Sequence, residues 1–335
     1  MITGASQADI AVLVISARRG EFESGFDLGG QTREHAMLVK TSGVKKLIVL
    51  VNKMDESTVQ WSEDRYKEIH DKLSKYLKKV GYNLKKDVHW VPASGQTGIN
   101  ILESKPELHP YYKGPSLIKY LDSLPKFDRS SGDGQGVRLP IVDKYKDMGL
   151  MVFGKLEAGE IIRGQTYTLM PNKQMIKVVQ ILTDDIEVDQ CTAGENVKLK
   201  IDGVEEDDIS SGFVICDNNS LCHYSNTFDV KLKIVELNKP LMGPGFQSIV
   251  HIHTVTEEVT VKTLICKINP KNGEKEPFTK GKAKFLKDGD LGIVRFKTSL
   301  PICIETFQKF ERMGRLSLRD EGKTIAMGTI VKVVE

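Results

Sequence analysis

Lys46-Leu47-Ile48-Val49-Leu50-Val51-Asn52-Lys53-Met54-Asp55 decides how this chain is read. Leu47 to Val51 is an unbroken apolar run, the pattern of a strand buried on both faces. Asn-Lys-x-Asp follows at once, where an open parallel sheet presents its ligands, beyond the carboxyl end of a strand. These four residues fit a guanine base. The Asp55 carboxylate can accept from both the ring N–H and the exocyclic amine of guanine, a donor pair that adenine lacks. Asn52 can donate to the ring nitrogen on the far side or tie neighbouring loops together. The Lys53 stem can lie over the purine face. With Met54 between them, these residues form one half of a candidate nucleotide site.

The competing reading is a solvated turn rich in Asn and Asp. Two contexts weigh against it. One is the strand that precedes the motif. The other is a second apolar stretch, Val88–Val91, running into Pro92-Ala93-Ser94-Gly95-Gln96. Ser94, Gly95 and Gln96 make the second half of the site, with the backbone N–H groups of Ser94 and Gly95 expected at the guanine carbonyl.

Outward from this centre, residues 1–127 alternate strand and helix, which means a parallel α/β sheet with helices packed on it. Ile10–Ser16 reads as a continuous apolar strand and Gly20 to Gly30 as a glycine-rich loop. Thr32–Ser42 reads as a helix stopped by Gly43. Ser62 caps a helix whose apolar stripe is Tyr66, Ile69, Leu73, Tyr76, Leu77 and Val80, ended by Gly81. Ser116–Leu124 is a further helix. Residues 128–136, Asp-Arg-Ser-Ser-Gly-Asp-Gly-Gln-Gly, have the composition of a linker. Beyond it the period changes to two. Short strands recur at Arg138–Tyr145, Met151–Leu156, Gln165–Met170, Lys177–Thr183, Asn196–Ile201 and Gly212–Cys216, with turn signals between them. A second set runs from Thr227 to Val334. Two successive β-barrels, residues 137–223 and 224–335, are the simplest reading.

Composition excludes several classes. With 40% hydrophobic and 28% charged residues the chain is an ordinary globular protein. A net charge of +3 does not by itself argue nucleic-acid binding. Its distribution is uneven: Thr183 to Asp208 is strongly acidic and Lys262 to Lys287 strongly basic, so solvated faces compete with an acidic or ribosomal partner. The odd, scattered set of five cysteines fits a reducing compartment, and no apolar run approaches a membrane span. A cytoplasmic location with no membrane association is the default. Cys216 and Cys222 lack zinc-ligand spacing. His251 and His253 share a strand face but have no third ligand near.

The residues also carry a family resemblance. Gln31-Thr32-Arg33-Glu34-His35 is similar to a helix start of the elongation-factor class of translational GTPases, and Met1 to Asp9 to the helix after that class's second switch. Gly20 to Phe26 resembles the insert of the eukaryotic branch. Four stretches resemble the eukaryotic release factor three family: Val142–Gly149, Met170–Lys173, Gly203–Ile209 and Gly314–Ala326. The family's Gly-Arg-Phe-Thr-Leu-Arg-Asp stands here as Gly314-Arg315-Leu316-Ser317-Leu318-Arg319-Asp320, and Leu150 replaces a usual Thr. The resemblance implies a GTPase subunit of the translation termination complex. It would bind GTP or GDP, with Mg²⁺ in the intact protein, a class one, stop-codon-reading release factor and the ribosome, with no sequence-specific nucleic acid contact. Arg315, Arg319 and Asp320 are then the candidate partner-binding residues. A ribosome-rescue GTPase serving a pelota-like factor, and an aminoacyl-tRNA carrier like elongation factor one alpha, are rivals that Val142–Gly149 and Arg319–Ala326 disfavour.

No Gly-x-x-x-x-Gly-Lys-Ser/Thr occurs in the chain, nor the family's first switch or its Asp-x-Pro-Gly-His stretch. By the resemblance these would lie before Met1. The expectation is a GTPase fragment that keeps base recognition, lacks phosphoryl-transfer chemistry and leaves Ile10–Ser16 as an exposed sheet edge. Taken literally, it is a non-catalytic release-factor-binding module.

Overall fold

The computed structural model describes residues 2–27, 30–125, 136–146, 149–270, 272–278 and 284–334. The expected linker falls almost wholly outside these residues, as do Asp147, Met148 and three lysines of the basic stretch. The chain divides into two compact units, one spanning Ala8–Phe127 and the other holding Asp128–Glu335 with a short N-terminal piece.

The first unit is built on a parallel three-stranded sheet, ordered β1 (Ile10–Ser16), β2 (Lys46–Asn52), β3 (Val88–Pro92). Leu47 to Val51 of β2 are all 6% exposed or less, which is the two-sided burial their apolar run requires. Ile48 and Leu50 pack with Val91, Ala93 and, from α5 (Leu117–Ser123), Leu117 and Leu121. Period two sends Leu47, Val49 and Val51 to the opposite face. β1 carries the alternation of a half-covered strand: Leu13 and Ile15 are buried, while Val12 and Val14 are 41% and 56% exposed. Among the described residues β1 pairs only with β2.

The helices follow their sequence signals. α3 spans Gln31–Thr41. α4 spans Glu63–Val80, with Ser62 Oγ accepting from Arg65 N at its start and Gly81 at φ +107° closing it. That left-handed angle is what a glycine supplies at little steric cost. One expectation needs correction. The stretch read as a loop from Gly20 to Gly30 contains a short helix, α2 (Glu21–Phe26), whose Phe22 and Phe26 are buried and stacked at 5.2 Å. Four glycines within eleven residues disguised an aromatic pair at helical spacing.

The second unit holds two closed antiparallel barrels of six strands. The first contains β4 (Arg138–Lys146), β5 (Leu150–Lys155), β7 (Thr166–Met170), β8 (Gln174–Thr183), β11 (Asn196–Asp202) and β12 (Val214–Cys216), with pairing of β11 to β8 closing the ring. Three short strands, β6 (Glu160–Ile162), β9 (Ile186–Val188) and β10 (Gln190–Thr192), decorate it and were too brief to show a period. Leu139, Ile141, Val152, Leu169, Val178, Leu199 and Ile215 fill the interior. Closure brings β4 and β5 so near at Gly154 that a Cβ there would lie 2.2 Å from the Pro140 carbonyl oxygen.

The second barrel uses β13 (His223–Ile234), β14 (Gln247–Ile252), β15 (Val255–Ile268), β17 (Leu291–Ile304), β18 (Arg315–Asp320) and β19 (Lys323–Val334), closed by β14 on β15, with β16 (Lys275–Pro277) appended. Phe228, Val230, Leu232, Val294 and Phe296 form its centre.

Where the barrels meet, Ala158, Met170, Val214 and Cys216 pack with Cys222, Cys303, Phe310 and Met313. All five cysteines are free thiols and buried. Beside this cluster lies a charge pair out of water. Arg138 Nη2 is 3.2 Å from Glu305 Oε1, and both side chains are 0% exposed.

Candidate functional site: the guanine-type motif at the end of the central strand

β2 ends on Asn52, and the chain turns sharply there because Lys53 takes φ +62°. The turn is held from both sides. Ala17 N donates to the Asn52 carbonyl at 2.8 Å, and Ala93 N donates to the Val51 carbonyl at 2.8 Å. Met54 N donates to the Ala93 carbonyl at 3.2 Å, and the Met54 carbonyl accepts from Trp61 N at 2.7 Å. The motif and the segment after β3 are therefore one hydrogen-bonded unit. Sequence separation hid this, but parallel pairing of β2 and β3 brings their carboxyl ends side by side.

Asn52 takes the tying role. Its Oδ1 accepts from Gly95 N at 2.7 Å, which leaves its amide N–H₂ free to donate outward. The approach is tight: a Cβ on Gly95 would sit 3.3 Å from the Asn52 carboxamide. Asp55 is half-buried, and its carboxylate has no hydrogen-bond or ion-pair partner among the described residues. An acceptor pair at the rim of a rigid turn is what a guanine edge requires. The residues present thus fit the base.

Three expectations are revised. Met54 is 0% exposed, so it anchors the turn and its side chain offers a ligand nothing. Ser94 is also 0% exposed, and its Oγ accepts from Thr97 N at 3.1 Å. Its backbone N–H is occupied by the Ile99 carbonyl at 3.1 Å, and that of Gly95 by Asn52. Neither is left for a guanine carbonyl. Gln96, exposed at the loop tip, keeps a backbone N–H without a partner among the described residues.

The structure adds residues that sequence reading passed over. Lys53 Nζ lies 2.7 Å from Glu21 Oε2. The bond to Lys53, then one from Ser16, holds the Glu21 carboxyl down at about 2. Glu23 accepts from Gly20 N at 2.7 Å and from Arg65 Nη1 at 2.8 Å. Arg65 chiefly holds this carboxyl down as well, at about 2. Arg65 is 4% exposed and donates through Nε to the Ala17 carbonyl at 2.9 Å. Burial opposes its charge, and Glu23 and Glu68 more than restore it. Arg65 thus fixes the segment that supports Lys53. A signal was present: Arg65 precedes Ile69 and Leu73 by four and eight residues, which puts it on the buried stripe of α4.

The candidate partner residues lie on β18 of the second unit. Arg315 is ion-paired to Glu311, and its guanidinium lies 4.8 Å from the Phe307 ring centroid. Arg319 donates to the Gly322 carbonyl. The Asp320 carbonyl accepts from Asn238 at 3.0 Å. All three are half-buried and engaged with their own barrel. The two histidines, expected on one strand face, are held by separate partners. His251 Nδ1 lies 3.1 Å from Thr256 Oγ1, while His253 sits past the strand end at φ +41° with Nε2 2.9 Å from the Cys303 carbonyl. No group of three ligating side chains occurs among the described residues.

Comparison with known proteins draws these features together. The elongation factor Tu GTP-binding domain family matches residues 1–148, the elongation factor Tu domain 2 family residues 149–216, and the GTP-eEF1A C-terminal domain-like family residues 227–331. The eukaryotic peptide chain release factor GTP-binding subunit of Kluyveromyces lactis is 46% identical over 337 aligned residues, covering 100% of this chain and 47% of that protein. The subunits of the same description from Zygosaccharomyces rouxii and Schizosaccharomyces pombe are 44% and 42% identical, with 50% of each covered. The solved structure of sup35 complexed with GDP is 42% identical, with 81% of that chain covered and a TM-score of 0.57.

This chain belongs to the release factor GTP-binding subunit family.

It spans about half the length of the curated relatives it matches. Elongation factor SelB of Methanococcus maripaludis, 18% identical with a TM-score of 0.70, shares the fold. As a family member the chain has the translational-GTPase architecture, a parallel-sheet domain followed by two barrels, and the Asn52–Asp55 turn falls within the matched GTP-binding domain.

Proposed function

We propose that this chain contributes the guanine-recognising part and the two-barrel partner surface of a translation termination GTPase. Asp55 accepts from the guanine ring N–H and amine, Asn52 donates from its free amide, the Lys53 stem covers the purine face, and the Gln96 N–H takes the carbonyl role first given to Ser94 and Gly95. The carrying observation is an unpartnered carboxylate on a turn that Asn52 and Gly95 lock in place. These residues meet the base only. Phosphate binding, Mg²⁺ and hydrolysis belong to the other end of the nucleotide, and the chain holds no phosphate-loop sequence. We assign no catalytic residue and no catalysis to the chain on its own.

The partner is a class one release factor acting at the ribosome in the cytoplasm, met through the β18 region of Arg315, Arg319 and Asp320. Sequence likeness across Gly314–Ala326 supports this. Guanosine titration by calorimetry tests the base site. Asp55→Ala removes two charge-assisted hydrogen bonds, each about 1.5–3 kcal/mol, so affinity should fall at least ~10²-fold. Equal affinity of wild type and variant would overturn the assignment. Capture of the class one release factor by the whole chain, lost on Arg319→Glu, tests the partner reading.

A further inference from the structure

One outer face of the second barrel carries lysines that have no ion pair among the described residues. On β13, Thr227, Asp229, Lys231 and Lys233 alternate with the core residues Phe228, Val230 and Leu232, so period two sends all four outward. Strand register sets Lys297, Arg295, Ile293 and Leu291 of β17 beside them on one flank. It sets Val334, Lys332, Thr329 and Met327 of β19 on the other. Asp229 is the one carboxylate in these three adjoining rows, and Arg295 grips it at 2.7 and 2.9 Å. Lys231, Lys233, Lys297 and Lys332 are exposed and have no ion-pair or hydrogen-bond partner among the described residues.

We propose that this face binds the phosphate backbone of a double-stranded RNA helix without reading its sequence. A row of unneutralised lysines calls for a polyanion, and each phosphate contact releases a counterion. The face carries no aromatic side chain; its uncharged positions are Thr, Val, Ile, Leu and Met. Single-strand binders rely on aromatic platforms for base stacking, which this face lacks. A-form duplexes are met through phosphates and 2′-hydroxyls, partners suited to lysines and to the Thr227 and Thr329 hydroxyls. The choice of RNA over DNA rests on the translation reading given above; the charge arrangement does not.

The test is anisotropy of a labelled 20-bp RNA duplex with the whole chain, titrated from 50 to 200 mM KCl. Four contacts give a slope of log K against log salt of about −3 to −4, a loss of roughly 10²-fold across that range. Lys233→Gln should reduce the slope by about 1. The quadruple variant Lys231→Gln, Lys233→Gln, Lys297→Gln, Lys332→Gln should bind weakly with little salt dependence while keeping the wild-type melting temperature. The matched control Lys75→Gln, Lys78→Gln, Lys79→Gln, Lys85→Gln removes equal charge from the first unit and should leave binding intact. The proposal is overturned if the control loses as much as the test variant, or if the test variant binds as wild type. It is equally overturned if single-stranded RNA or DNA duplex binds at least as tightly, or if a polyglutamate peptide displaces the duplex at matched charge. Guanosine affinity in the same samples reports the other site, so the two readings fail separately.

Discussion

Replacing Glu305 with Leu should unlock the junction between the barrels, and its cost can be worked from the contacts. Glu305 is 0% exposed and is met by three basic side chains: Arg138 at 3.2 Å, His223 at 2.8 Å and Lys309 at 3.6 Å. His223 and Lys309 are 46% and 41% exposed, so water compensates them when the carboxylate goes. Arg138 cannot be compensated that way. Its side chain is 0% exposed, between the Phe310 ring 4.8 Å away and the carbonyls of Val137 and Ser220 at 2.8 and 2.6 Å. Removing one member of a buried pair costs about 3–5 kcal/mol. The two carbonyls place this case near the lower end, about 3 kcal/mol. For a unit of some 200 residues that is a drop of about 6–12 °C in Tm. Arg138→Met should cost less, because the stranded Glu305 keeps the partly exposed Lys309 ammonium and its hydrogen-bond partner His223. The double variant Arg138→Met, Glu305→Leu should recover most of the loss, since no unpaired charge remains. Calorimetric melting of the whole chain and its three variants is the assay. A Glu305→Leu shift under 2 °C, or strictly additive losses in the double variant, would refute the reasoning.

Two further outcomes follow from single contacts. Gly154→Ala places a methyl where the Pro140 carbonyl oxygen already lies 2.2 Å from the ideal Cβ position; β4 and β5 must part, and circular dichroism melting should show a loss above about 2 kcal/mol, with an unchanged melt counting against the close approach. His253, held down to about 4 by burial against a weaker opposing bond to the Cys303 carbonyl, stays neutral in the fold while the unfolded chain takes up a proton below about 6.5. Stability should therefore rise with pH between about 4 and 6.5 and be lost as pH falls through that window, by up to ~1.4 kcal/mol per unit. His253→Gln should flatten the slope of urea midpoints against pH, and an unchanged slope would remove His253 from the account.

How much of this was legible in advance differs by element. β2 was plain because five consecutive apolar residues leave one choice, burial on both faces. α4 was plain because Ser62, Gly81 and a stripe at helical spacing agree with one another. The barrels showed through period-two alternation, and their closure did not, since pairing of β11 with β8 and of β14 with β15 joins strands by position in space. α2 was misread because glycines hid its two phenylalanines.

The candidate site divides in the same way. Residue type alone fixed the chemistry of Asn52, Lys53 and Asp55, for a carboxylate and an amide carry their hydrogen-bonding capacity wherever they sit. Tertiary structure decided which of those capacities stay open. Parallel pairing brought Gly95 onto Asn52, occupied the N–H groups of Ser94 and Gly95, sealed Met54 inside, and left Asp55 and the Gln96 N–H at the rim. It also placed Arg65 and Glu23 beneath the turn and aligned four lysines from three strands on one face. The sequence lists donors, acceptors and charges; their availability depends on neighbours many residues away, and only the folded backbone chooses those neighbours.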